Sequence, residues 1–215
     1  IRANTAFLAD TGIELAPNRT VLVNDHMQTN DPDIYAVGDC AMVTNRITGA
    51  AAWSPMGSTA NITGRMAAKN MAGKDTAYHG AMGTAVCQLP KLNAGRTGMS
   101  EAQAKEAGFD AVSVIMVTDD KAYYMPGADS FIIKLIADRE SRRLLGVQVL
   151  GKGAVDKVVD TCVAAIAMKA TVDEIADMDF AYAPPFSTAI HPLAHAVNVL
   201  MNKMDGTLET MTPAE

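Results

Sequence analysis

Gly38 and Asp39 are the residues of this chain most clearly placed to do chemistry. They end a short apolar run, Ile34-Tyr35-Ala36-Val37, that is entered from Thr29-Asn30-Asp31-Pro32-Asp33. Continuous hydrophobicity, β-branching and a proline just before the run predict a buried strand of a mainly parallel sheet. A glycine after such a strand lets the backbone turn and approach a ligand closely. A carboxylate at the strand's carboxyl end is suited to accept hydrogen bonds from ribose-like hydroxyls. An ordinary Gly-Asp turn is the alternative that the dipeptide leaves open. The second candidate is Phe180-Ala181-Tyr182-Ala183-Pro184-Pro185-Phe186-Ser187, where two prolines hold the backbone extended and aromatics flank it on both sides. Just beyond it His191 precedes Pro192. An imidazole with a pKa of about 6.5 can shuttle a proton, although a histidine that merely starts a helix is the plainer reading. His191 and His195 are four apart, but Pro192 and Leu193 intervene and no third ligand is evident. No metal site is therefore expected.

These residues must be carried by a folded scaffold, and the composition supports one. The chain has 215 residues, 49% of them hydrophobic, enough for one large or two modest domains. A net charge of −6 with dispersed basic residues argues against nucleic acid or an anionic membrane as partner. No apolar run approaches the roughly 20 residues of a membrane helix. Cys40, Cys87 and Cys162 are scattered, form no CxxC or CxxxxC pair and read as small buried hydrophobes in a reducing cytoplasm. No GxGxxG is present: Gly151-Lys152-Gly153 lacks the third glycine.

Patterning predicts two blocks. In the first, residues 1–78, a helix is expected from Thr5 to Ile13 behind an Asn4 cap, then a strand at Thr20–Val23 and the Ile34–Val37 strand. A helix from Ser54 to Met71 follows, with Pro55 in its first turn and small residues that permit close packing. In the second, residues 79–204, strands are expected at Thr84–Gln88, Leu92–Thr97, Asp110–Thr118, Ser130–Ala137 and Leu144–Leu150. The last two flank a charged hairpin turn, Asp138–Arg143. Capping boxes at Ser100 and Thr171 open two short helices, and longer ones run over Val155–Met168 and Pro192–Met204. Residues 205–215 form a polar tail or linker. Sheet and helices in this order describe an α+β fold, an antiparallel sheet with helices preceded by a partial α/β domain.

Several strings resemble the FAD-dependent pyridine nucleotide–disulfide oxidoreductases. Thr29 to Ala41 is similar to their second flavin motif. Ile1-Arg2-Ala3-Asn4-Thr5 is similar to a passage near the end of their NAD domain, and Ala60 to Ala68 to their "ANRxGRxAA" helix. Tyr182 to Ser187 resembles the "YAPPFS" loop of the CoA-disulfide reductase and NADH oxidase branch, and Tyr123 to Ala128 its "YYPGA" turn with Met125 inserted. The second block resembles that family's dimerisation domain over almost its whole length. The resemblance implies FAD held through Thr29, Tyr35, Gly38, Asp39, Ala60 and Tyr182. It also implies substrate contacts from Asn61 and Tyr124, and Tyr182 as a phenolic donor placed beside the flavin of the partner subunit. His191-Pro192 is similar to the interface His-Pro of glutathione-reductase-type enzymes, which makes His191 a candidate acid/base. There Ala196 replaces the usual acidic partner, and Ile190 stands where CoA-disulfide reductases carry a basic residue.

The chain is thus expected to be a C-terminal portion of a homodimeric flavoenzyme. That enzyme would oxidise NAD(P)H through FAD and a cysteine outside this sequence, reducing a disulfide such as CoA disulfide, a polysulfide or persulfide, or peroxide or oxygen. The 215-residue portion is expected to have no turnover alone. In some relatives a rhodanese-like domain follows at the position of the tail. A non-catalytic homodimerisation module without flavin is the competing expectation.

Overall fold

In the computed structural model, which describes residues 1–211, the chain forms two units, Ile1–Met82 and a second beginning at Gly83. The first is organised by a three-stranded sheet in the order β1-β2-β3, with β1 at Val21–Leu22, β2 at Ala41–Thr44 and β3 at Ala51–Ala52. Val21 pairs parallel with Ala41, and Val43 antiparallel with Ala52. The helix α1 spans Gly57–Met71, close to the expected bounds, and buries Thr59, Thr63 and Ala67 on one face.

Two sequence expectations fail in this unit. Ile34–Val37 is not a strand of the sheet. Its backbone bonds go to its own loop, Thr29 N to Ile34 O and Ala36 N to Met27 O, and Tyr35 makes only an isolated bridge to Gln28. Ile34 is exposed. The parallel pairing falls instead on the residues after the Gly-Asp turn, so the run marks the approach to a strand and not the strand itself. The Thr5–Ile13 helix shrinks to a single 3-10 turn, Ala6–Leu8. Asp10 and Gly12 both take positive φ, and Phe7 is 75% exposed. A helical pattern with no surface to bury its apolar side has little to hold it.

The second unit follows its pattern closely. Strands β4 (Ala85–Gln88), β5 (Asn93–Gly98), β6 (Ala111–Asp119), β7 (Ser130–Asp138) and β8 (Leu144–Gly151) make one antiparallel sheet in the order β4-β5-β8-β7-β6. Ser100 and Gln103 form the capping box of α2 (Glu101–Glu106), and Thr171 and Glu174 that of α4 (Val172–Ala176). The long helices α3 (Val155–Ala167) and α5 (Pro192–Met204) lie on one face, α3 against β5 and β8, α5 against β6 and β7. Val158, Val159, Cys162, Leu193, Val197 and Leu200 from these helices are fully buried, as are Ile133, Leu135 and Val147 of the sheet. Each of the aliphatic side chains among them contributes about 1.5–3 kcal/mol of burial free energy.

Side chains alternate across a strand, so the register defines the other face. Cys87, Ala94, Leu150, Ile132 and Val117 make one transverse row, and Ala85, Arg96, Gln148, Lys134 and Ile115 the next. Ile115 and Val117 are 66% and 64% exposed, and the rows line a shallow concavity of about 470 Å³. Cys87 is exposed, contrary to its reading as a buried hydrophobe; Cys162 is buried and its thiol is pushed up to about 12 by that burial. The polar tail begins with structure of its own. Asp205 pairs with Arg142 at 2.8 Å, and Thr207 N and Leu208 N return to the carbonyl of Asn202. Residues 212–215 of that tail lie outside the described residues. Among the described residues no helix is long and apolar enough to cross a membrane.

Candidate functional site

In the first unit the site is built on the turn Gly38-Asp39-Cys40, a single 3-10 turn leading directly into β2. Gly38 takes φ +74, a conformation that favours glycine, and a Cβ there would meet the Ala60 methyl in ordinary contact at 3.5 Å. The turn is tied to α1: Gly38 N donates to Thr63 Oγ1 at 3.3 Å, and that hydroxyl donates to Thr59 O at 2.8 Å. From the other side Trp53 Nε1 donates to Asp39 O at 2.9 Å. The Asp39 backbone is therefore held while its carboxylate stays exposed, without a hydrogen bond to any described residue.

Helix α1 begins at Gly57 without a side-chain cap, so its first amide hydrogens are free to meet an acceptor. Small residues, an uncapped helix start and a free carboxylate suit a ligand carrying both phosphates and sugar hydroxyls. Three more candidates lie in the same unit. Tyr35 Oη accepts from Gln28 Nε2 at 3.1 Å, Thr29 bonds only its own loop through Asp31, and Asn61 is exposed on α1.

Thr63 and Trp53 were not among the residues that sequence reasoning singled out. The available signal was that position 63 shares a helix face with Ala60, three residues earlier. Thr63→Val is expected to leave Gly38 N without its acceptor and to cost the first unit about 1–2 kcal/mol. Urea unfolding followed by the fluorescence of Trp53, which touches the same turn, checks this.

In the second unit two aromatic loops come together. Ala122 N donates to Pro184 O at 3.3 Å, which joins the loop of Tyr123 and Tyr124 to the Pro184-Pro185 segment. Tyr123 and Tyr124 stack edge-on with centroids 5.5 Å apart, and both are exposed, as are Tyr182 and Phe186. This end of the unit thus offers phenols and flat apolar surfaces to whatever lies against it. His191 is placed differently. It is 4% exposed, its ring stacks on Phe180 at 4.5 Å, and its Nδ1 accepts from Leu193 N at 3.2 Å as the cap of α5. Burial, and secondarily the Lys157 ammonium, lowers its pKa to about 4, so the ring is neutral at physiological pH.

Known proteins share both parts. Residues 84–194 match the model of the pyridine nucleotide-disulphide oxidoreductase dimerisation domain, and residues 1–62 match the pyridine nucleotide-disulphide oxidoreductase model. The chain belongs to the pyridine nucleotide-disulphide oxidoreductase family. Within it, the chain is 32% identical over 200 residues to an NAD(P)H sulfur oxidoreductase (CoA-dependent) of Pyrococcus furiosus, covering 93% of this chain and 45% of that protein. A solved structure of an NAD-dependent persulfide reductase from A. fulgidus superposes with a TM-score of 0.95 at 36% identity, over all of this chain and 40% of that one. An FAD-dependent pyridine nucleotide-disulphide oxidoreductase from Desulfovibrio vulgaris gives a TM-score of 0.77 at 29% identity, over 94% and 47% of the two chains. The chain therefore spans about half the length of the relatives it matches. For a pyridine nucleotide-disulphide oxidoreductase of this type, the dimerisation-domain match takes in all of β4 to β8, the strands that carry the uncovered sheet face.

Proposed function

We propose that the chain forms the C-terminal part of an FAD flavoenzyme that oxidises NAD(P)H and reduces a small sulfur substrate, a disulfide, persulfide or polysulfide, with peroxide or oxygen as a less favoured acceptor. The observation that carries this reading is the Gly38-Asp39 turn, clamped by Thr63 and Trp53 with its carboxylate free. When bound, FAD would supply the hydride acceptance and the two-electron reduction of a sulfur–sulfur bond that no side chain of this chain can provide. Asp39 would accept from a flavin-side hydroxyl, the amides at the start of α1 would face phosphate, and Gly38 over Ala60 would leave room for the close approach. Thr29, Tyr35 and Asn61 would line the outer part of the same pocket.

Tyr182, exposed on its proline-stiffened loop, is assigned as proton donor at the reacting sulfur, with Tyr124 as a substrate contact. His191 is assigned a structural part, neutral and bonded at the start of α5, in place of an acid/base role. The uncovered rows around Ile115, Val117 and Ile132 would form the homodimer contact. Three cysteines without a disulfide fit a reducing cytoplasm. A non-catalytic dimerisation module is favoured by one feature only, the apolar sheet face.

The test combines a visible spectrum with light scattering on the full-length protein and on the 215-residue chain. Asp39→Ala is expected to lower flavin affinity ten- to a hundredfold, the weight of one hydrogen bond to a charged group. Ile132→Lys is expected to convert dimer to monomer. Full flavin retention by the Asp39 variant would refute the proposed pocket. A colourless wild-type full-length dimer would favour the module.

A further inference from the structure

The turn Gly151-Lys152-Gly153 has no part in the site described above, yet each of its residues meets the base of the Tyr123-Tyr124 loop. We propose that Asp120, seated on this turn, is the residue that positions that loop against the Pro184-Pro185 segment. The proposal rests on the reading that the tyrosines face substrate. Asp120 is 8% exposed. Its backbone N–H donates to Asp129 O at 2.8 Å, and its Oδ1 accepts from Asp129 N at 2.9 Å, so the loop is closed at its neck by two hydrogen bonds.

The turn holds that neck from outside. A Cβ at Gly153 would overlap Asp120 Oδ2 and press on its Cβ and Cγ at 3.2 Å each, so a larger residue there would displace the carboxylate. Lys152 Nζ pairs with the Asp129 carboxylate. Gly151 leaves space for the ring of Phe131. Asn93 Nδ2 donates to the carbonyls of both Lys152 and Gly153, at 3.1 Å each, and thereby anchors the turn to β5. On the loop's far side Ala122 N reaches Pro184 O. The same carboxylate borders a small cleft of about 190 Å³ shared with Lys157, whose Nζ donates to Phe186 O at 3.3 Å. The placement of Tyr123 and Tyr124 relative to Tyr182 thus descends from Gly153 through Asp120 and Ala122 to Pro184.

Hydrogen exchange on the 215-residue chain, with tryptic cleavage after Lys121 as a second reading, tests the latch without any activity. Asp120→Ala and Gly153→Ala are each expected to speed exchange of the amides of residues 121–125, 127 and 128 about tenfold, the loss of one buried hydrogen bond, with β6 and β7 unchanged. Asp120→Asn keeps the acceptor for Asp129 N and is expected to stay within about twofold of wild type. Unchanged exchange in both the alanine variants, or equal loosening in the alanine and asparagine variants, overturns the latch. In the full-length protein, with CoA disulfide as the probe, Asp120→Ala is expected to raise KM about tenfold with kcat nearly constant. Loosened exchange with unchanged KM would overturn the positioning role. No turnover of CoA disulfide, a persulfide or a polysulfide by wild type would instead defeat the functional reading and leave the exchange result standing.

Discussion

Gly98→Ala is expected to destabilise the second unit by about 3–4 kcal/mol, the sum of backbone strain and overpacking. Gly98 ends β5 with φ +73, where any side chain is strained. A Cβ there would also overlap Leu145 O and approach Gly146 Cα at 2.8 Å and Ile166 Cδ1 at 2.9 Å. Two of those three atoms are backbone of the central strand β8, which cannot swing aside. Gly108, just past α2, separates the two effects: its φ is +88 but nothing lies within 4 Å of its Cβ position. Gly108→Ala is therefore expected to cost only about 1 kcal/mol. Urea unfolding followed by far-ultraviolet circular dichroism, with Trp53 fluorescence as the reference for the first unit, compares the pair. Equal losses at the two positions would mean that packing against β8 contributes nothing.

Acidification is expected to remove about 3 kcal/mol from the second unit as pH falls from about 6.5 to about 4, through His191. The sign follows from the direction of its shift. The unfolded histidine binds a proton below about 6.5, whereas the buried ring, stacked on Phe180 and accepting from Leu193 N, resists protonation until about 4. Stability is therefore full above the unfolded pKa and is lost on the way down. Asp129, Asp173 and Glu174 have carboxyls held below the ordinary range by Lys152, Arg142 and Thr171 respectively, and Glu101 is held at about 2 by Lys105, Lys134 and Ser113. Their contributions fade at more acid pH. His26, in the first unit, moves the opposite way: Asp75 and Asp25 raise its pKa, so its pairing strengthens on acidification. His191→Asn retains a cap for α5 and removes the titration. Its stability should sit lower than wild type at pH 7 but vary little between 6.5 and 4. Parallel slopes for the two proteins would exclude His191 as the source.

The second unit was legible in the sequence because its signals are local. Alternating apolar residues in β6 and β7, the charged turn between β7 and β8, and the Ser100 and Thr171 capping boxes each act within a few residues. The structure keeps all of them. The first unit was less legible for the same reason in reverse. Ile34 to Val37 satisfies the composition of a buried strand, yet its backbone partners are Met27, Thr29 and Asp31, and the parallel ladder forms one turn later.

What the sequence by itself determined was the α+β class and the two candidate motifs, since residue type and short-range spacing suffice for these, and the family through the resemblance of those strings. Tertiary structure decided what those motifs rest on. Thr63 lies 25 residues from the amide it holds, and Trp53 14 residues from the carbonyl it caps. Gly153 meets Asp120 from a different strand end. His191 has the composition of an acid/base and the burial of a cap, because the phenyl ring of Phe180 folds over it. Hydrogen bonds and desolvation act through space, so their consequences enter only when the chain has brought distant residues together.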